Sequence, residues 1–247
     1  MKKFLVNAVE KLTIFVDFIC QTKTEEEKNY LREAAAIADS IFIQVSKEIK
    51  PGVSELQIKR LFDSYVEESK AEKLAFDTIV ASGPNGAFPH AVPSGRIIQR
   101  NDIVVIDFGV VYNGYHSDMT RTLLMDPDDK KARSLYKLVL EAQQLALAKV
   151  ISGVDIKSLD DIARGHIGSY NFQDYFVHGL GHGVGLKIHE KPFINQRARG
   201  VLKKDMVITI EPGIYLPGYG GVRIEDTVIV GKKGYEVLTK SPKMIFS

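Results

Sequence analysis

The sequence predicts an α+β fold with antiparallel strands. Three observations carry this. Two early stretches repeat apolar residues at helical spacing behind N-terminal capping signals. Runs rich in β-branched residues, bounded by Gly, Pro and Asn, follow them. The same order, helices and then strands, comes round a second time. Runs of strands separated by runs of helices point away from alternating β-α-β units. No residue-level repeat links the two halves, and no low-complexity linker marks a boundary.

The elements follow in order. Residues 1–20, "MKKFLVNAVEKLTIFVDFIC", begin like a signal peptide with two lysines and apolar residues. Glu10, Lys11 and Asp17 interrupt the apolar run, and no small-residue cleavage site follows. The segment reads as helical or mixed sequence facing a core. Thr24 to Glu27, "TEEE", has the form of a capping box, and Leu31, Ala34, Ala38, Ile41, Phe42, Val45 and Ile49 recur behind it. Pro51-Gly52 ends that helix. "SELQ" at Ser54 to Gln57 opens a second helix with Ile58, Leu61, Phe62 and Tyr65 on one face. "FDTIVASG" and "IVVIDFG" read as strands. A third helix is expected near Pro127, with Asp126 as its cap and proline in the first turn. A fourth is expected near Ser158, and "MVITIE", "GVRIEDTVIV" and "YEVLT" close the chain as strands.

The 247 residues suit one large domain or two small ones. Apolar residues make up 45% and charged residues 26%, the balance of a soluble globular protein. A net charge of +2 supplies no basic field for nucleic acid. Cys20 is the only cysteine, so an internal disulfide and a cysteine-based metal cluster are excluded and a reducing, cytoplasmic setting is expected. No run approaches the roughly 20 apolar residues of a membrane span, and no membrane partner is expected.

The chemistry starts at "IVVIDFGVVYNGYHSDMTRT", residues 103–122. Asn113-Gly114 is a two-residue hairpin signal. With that loop Tyr112 faces Tyr115 and Asp107 lies opposite Thr120. Asp118, two residues from Thr120, then shares a face with Asp107. Two carboxylates that close repel unless a cation sits between them. Asp118 could equally be a hydrogen-bonded turn residue; Asp107, set in an apolar run, fits that reading poorly.

"HGLGHGVGLKIHE", residues 178–190, holds three of the six histidines, His178, His182 and His189, among four glycines. Its glycines mimic a nucleotide-binding loop, but neither the preceding strand nor the following helix of such a loop is expected. Histidines gathered in this way suit ligation and proton transfer. Glu211 ends the apolar run "MVITIE", and Glu225 lies in "VRIEDTVIV" with Arg223 two residues before it on the same face. A surface Arg–Glu pair is the plainer reading of the latter. Four carboxylates, Asp107, Asp118, Glu211 and Glu225, balance two divalent cations, with the His182 imidazole as a neutral ligand. Such an oxygen-rich set suits manganese, cobalt, iron or zinc.

On "FPHAVPS", "VVIDFG", "GYHSDMTRT", "HGLGHGVGLKIHE", "TIEPGIY" and "GGVRIEDTV" the chain resembles the catalytic domain of Xaa-Pro peptidases, prolidase and aminopeptidase P, in the superfamily that also holds methionine aminopeptidase. The resemblance implies the pita-bread (creatinase/aminopeptidase) fold, an α+β fold with two pseudo-symmetric halves around a dinuclear metal site. It implies that Asp107 binds one ion, His182 and Glu211 the other, and that Asp118 and Glu225 bridge both. Two divalent ions are expected, manganese first. His90, His178 and His189 match histidines that handle substrate and protons, and Arg223 matches an arginine at the site. The ending "VRIEDT" is that of the proline-directed branch. An N-terminal segment, residues 1–23, then precedes a catalytic domain over 24–247, without the further N-terminal domain usual in the family. A homodimer is a further expectation.

The reaction so implied is hydrolysis of the bond before a proline in the second position of a dipeptide or peptide. Glu211 would carry a proton to the leaving nitrogen, and His189 or His90 would stabilise the oxyanion. Methionine aminopeptidase, a creatinase-like hydrolase and a catalytically inactive peptide-binding module share the fold and are the alternatives.

Overall fold

The computed structural model of the protein describes residues 19–243, 245 and 246; the N-terminal reading of residues 1–18 lies outside them. Helix α1 spans Glu25–Ser46 and α2 spans Glu55–Glu67, and both form the expected capping boxes. The hydroxyls of Thr24 and Ser54 accept from the amides of Glu27 and Gln57, whose side chains accept from the cap amides in return. Orphan donors at each helix start are thus satisfied locally. Strands β1 (Lys73–Leu74), β2 (Ile79–Ser82), β3 (Ile103–Phe108), β4 (Val110–Tyr112), β5 (Tyr115–His116) and β6 (Met119–Leu124) complete the first half.

Helices α3 (Lys130–Leu147) and α4 (Ile156–Gly168) open the second half. The start of α3 differs from expectation, and that of α4 falls near Ser158 as expected. Asp126 turns back to accept from the Asp128 amide at 3.0 Å, so the cap falls to Asp129, which accepts from Lys131 and Ala132 at 2.8 and 3.0 Å. Asp155 caps α4 through the Ser158 amide at 3.0 Å, so that helix begins before Ser158. Strands β7 (Gly181–Gly183), β8 (Glu190–Ile194), β9 (Val207–Ile210), β10 (Gly213–Leu216), β11 (Gly220–Arg223), β12 (Asp226–Val230), β13 (Tyr235–Val237) and β14 (Ile245–Phe246) follow.

The hairpin register is the one the Asn-Gly turn dictates. Tyr112 pairs with Tyr115 and Asp107 with Thr120. Asn113 and Gly114 take φ of 47° and 77°, the left-handed pair of a type I′ turn. The long hairpin is interrupted, however. A Cβ at Gly109 would run into the Ser117 carbonyl. At that crossing the ribbon leaves the β14-β6-β3-β2 sheet, and β4 and β5 join β1 in a small sheet of their own. "GVRIEDTVIV" likewise divides, with Ile224 and Glu225 lying between β11 and β12. Pairing is antiparallel throughout, as expected, except where β14 runs parallel to β6.

The two halves share one plan. In the first, β3 leads through a hairpin to β6, its antiparallel neighbour; in the second, β9 leads through β10-β11 to β12 in the same way. One apolar core packs α1 and α2 under β2, β3 and β6, with Phe42, Phe62 and Ile106 fully buried. The other packs α3 and α4 under the β13-β12-β9-β7-β8 sheet around Val139, Leu159 and Val228. Polar contacts join the halves along β6 and β12. The hydroxyl of Thr227 donates to the Asp118 carbonyl at 2.7 Å, and the Glu225 amide donates to the Thr120 carbonyl at 3.2 Å. The buried ion pair of Arg121 with Asp226, at 2.9 Å, lies among them.

Candidate metal centre

Each half delivers two carboxylates at equivalent places. Asp107 points from the end of β3 and Asp118 precedes β6; Glu211 follows β9 and Glu225 precedes β12. All four line one cleft of about 650 Å³ together with His182 and Arg223. The volume fits a small peptide. Ligand atoms of Asp118, His182 and Glu225 lie within 4.8 Å of one another.

His182 sits in β7. Its Nδ1 lies 3.0 Å from the Gly183 carbonyl, which holds the proton on Nδ1 and turns Nε2 to the acids. Nε2 is 3.2 Å from Glu211 Oε1 and 3.6 Å from Asp118 Oδ2. Burial opposes charge on both partners, yet the pair wins. The His182 imidazole is held above its usual value by the Glu211 hydrogen bond, and Glu211 is drawn down to about 2 by His182. Thr209 adds support: its hydroxyl donates to Glu211 at 3.1 Å and accepts the His182 amide at 3.1 Å.

The other acids are less compensated. Burial pushes Asp118 well above the usual carboxylate range, and the neighbouring charges of Glu225 and Asp107 push it further. Burial does the same to Glu225, with Glu211 and Asp107 adding to it. Asp107 is raised too, again chiefly by burial, although Arg223 pulls against it. Asp107 Oδ1 and Glu225 Oε1 are buried with no hydrogen-bond partner. Carboxylate oxygens left without donors beside other acids are what a cation site requires, because a divalent ion is the partner that relieves both the desolvation and the repulsion. The donor set fits divalent metal on that ground.

Arg223 corrects the simple charge balance. It is 3% exposed, and its Nη2 donates to Asp107 Oδ2 at 2.7 Å. Its Nε donates to the Thr120 hydroxyl at 3.0 Å, and Nη1 to the Tyr215 hydroxyl and Pro89 carbonyl at 2.7 and 3.2 Å. Its guanidinium thus offsets one of the four acids, and two divalent ions would leave room for one more negative charge. With these bonds Arg223, at the lining of the cleft, orients Asp107.

Of the three substrate-handling candidates, His178 donates or accepts between its Nε2 and the Tyr215 hydroxyl at 2.9 Å. Burial lowers its pKa. His189 meets His182 edge-on and is lowered by burial first and by His182 second. His90 is exposed and lines the same cleft. Sequence reasoning gave no role to Thr120, Thr209 or Tyr215. Thr120 holds Glu225 Oε2 at 2.7 Å. The signal was present for Thr120, which the hairpin register places opposite Asp107, and Thr209 and Tyr215 are the two ends of "TIEPGIY".

Residues 29–232 match the profile of metallopeptidase family M24. The Xaa-Pro dipeptidase of Pyrococcus furiosus is 48% identical over 90% of this chain and 64% of its own length. The solved prolidase from Pyrococcus furiosus superposes with a TM-score of 0.90 at 46% identity, covering 92% of this chain and 68% of that one. The X-Pro aminopeptidase from Thermotoga maritima superposes with a TM-score of 0.91 at 37% identity, over 94% of this chain and 66% of that one. The chain spans a little under two thirds of the length of the curated dipeptidase relatives.

Proposed function

Since the chain belongs to metallopeptidase family M24, we propose that it is a dinuclear metallo-exopeptidase cleaving the bond before a second-position proline, in dipeptides or in longer peptides. Its fold is the pita-bread fold of its structural neighbours. The observation that carries the reading is the convergence of four carboxylates and the Nε2 of His182 on one cleft, with oxygens of Asp107 and Glu225 lacking donors. Relatives bearing the name Xaa-Pro dipeptidase support the choice of bond.

In this reading Asp107 would hold one ion, His182 and Glu211 would hold the other, and Asp118 and Glu225 would be shared between them. When bound, such ions polarise a carbonyl and bring a water's pKa near neutrality. The chain's own residues do the rest. Glu211 carries a proton to the leaving nitrogen. His90 and His189 face the scissile carbonyl oxygen. His178, oriented by Tyr215, contacts substrate. Val92, Ile188 and Phe193 give the cleft an apolar wall for a pyrrolidine ring. A proline nitrogen offers no N–H, so a site built on metal and imidazole suits it where one that reads that hydrogen fails.

Manganese as the ion, a catalytic domain over 24–247, a cytoplasmic setting and a homodimer belong to the same proposal. No described helix is long and apolar enough to cross a membrane. The test is metal content of the purified protein together with cleavage of Ala-Pro and of Met-Ala-Ser. Close to two divalent ions per chain and turnover of Ala-Pro are expected. Equal or faster release of methionine would assign the chain to the methionine-directed branch, and metal binding without turnover of either would make it a binding module.

A further inference from the structure

Glu55, the first residue of α2, is fully buried. A buried carboxylate needs donors for both oxygens. The amide and hydroxyl of Ser82 donate to Oε1 at 2.7 Å each. The amide and hydroxyl of Ser94 donate to Oε2 at 3.0 and 2.7 Å. The Asn85 amide group reaches both oxygens, at 3.1 and 3.0 Å. Ser82 and Ser94 are the two ends of the segment that carries Pro89 and His90 into the cleft. A helix-start acid commonly serves its own helix dipole, but these donors all belong to the loop.

The second half repeats the device. Asp160, on α4, is also fully buried. It accepts the Leu180 amide at 3.1 Å and both arms of Arg164 at 2.8 and 3.0 Å. Arg164 in turn donates to the carbonyls of Phe176 and His178 at 2.6 and 2.7 Å. The second helix of each half thus addresses, through one buried carboxylate, the backbone around one cleft histidine.

The geometry points to Glu55 and Asp160 as positioning residues that fix the loops presenting His90 and His178 to the substrate. This rests on the roles given to those histidines above. Glu55→Gln keeps the side-chain shape, but its amide nitrogen must face the donors of either Ser82 or Ser94, so one loop end is released. In the metal-loaded protein, Glu55→Gln is expected to lower kcat/KM on Ala-Pro about tenfold, on the scale of hydrogen bonds to a charged group, with metal content unchanged. The loss should nearly vanish in a His90→Ala background and persist in a His178→Ala background. Asp160→Asn should show the reverse pattern. Hydrogen exchange at residues 83–93 should rise in Glu55→Gln alone and not in Asp160→Asn. Equal losses in both histidine backgrounds, or unchanged exchange at 83–93, would overturn the inference. A loosened loop with His90→Ala fully active would instead remove the role assigned to His90. If Glu55→Gln does not fold, Ser94→Ala removes the hydroxyl that donates to Glu55 and accepts from the Asn85 side chain and the Arg96 amide, which loosens one loop end and should give a loss with the same dependence on background.

Discussion

His189 meets His182 with ring centroids 4.4 Å apart and planes at 73°. That contact seats it beside the residue proposed to hold metal. Its Cα lies just before β8, and the side chain lines the same cleft as His90. Burial and the neighbouring imidazole keep it neutral near neutral pH, so it can donate a hydrogen bond to a developing oxyanion. A histidine that only filled the core would act on stability instead. His189→Ala should therefore keep its fold and metal content and lose activity by about a hundredfold, the scale for one oxyanion donor. Melting temperature, metal content and turnover measured on one preparation separate the cases. A lowered melting temperature with turnover per folded molecule intact would mean a structural residue, and lost metal at full stability would mean a ligand.

At the level of elements, α1 is fastened to the second half by charge. Lys28, 4% exposed, donates to Asp205 at 2.6 Å, and the Lys23 amide donates to the Asp205 carbonyl at 2.8 Å. Asp205 also sits at φ +67°, a conformation that Asn tolerates better than Ala does. Burial raises its carboxyl, but the Lys28 hydrogen bond and the charges of Lys28 and Lys204 prevail and hold it below the usual range. A depressed carboxyl stabilises the fold above the unfolded value near pH 4, and the contribution goes as pH falls through the native value. Asp205→Asn keeps the backbone and removes the charge. It should cost about 1–2 kcal/mol at pH 7, and its denaturation midpoint should converge with that of the parent below pH 4. A constant gap across that range would show that the charge is not the source. This contact, unlike the helix starts, was not legible in the sequence. Capping boxes at Thr24 and Ser54 and the Asn-Gly turn are written within four residues. The ion pair spans 177 positions, and the break at Gly109 arises only when Ser117 crosses it. Asp126 shows a local signal misread, since three aspartates stand near Pro127 and more than one could cap α3. The candidate site divides in the same way. Its acids and histidines stand out as polar residues in apolar or glycine-rich runs. The Arg223–Asp107 pairing, 116 positions apart, had to be seen.

Across the whole molecule the proposed ligand atoms come from both halves: Asp107 and Asp118 from the first, His182, Glu211 and Glu225 from the second. Polar contacts between β6 and β12 bring the halves together, but the same closure forces three buried acids above their usual range. Folding without a cation thus works against the repulsion and desolvation of its own site. A divalent ion that binds only the closed arrangement must stabilise it by mass action, about 2.7 kcal/mol at a hundredfold excess over its dissociation constant. For a chain of this size that is a rise of about 5–10 °C in melting temperature. The rise should grow with the logarithm of metal concentration and reverse on chelation. Asp118→Ala removes the ligand that faces both His182 and Glu225, so it should flatten the dependence. It also removes one repelling charge, so in chelator its melting temperature should equal or exceed that of the parent. That crossing of the two curves is the discriminating observation, because a variant that merely damaged packing would lie below the parent at every metal concentration.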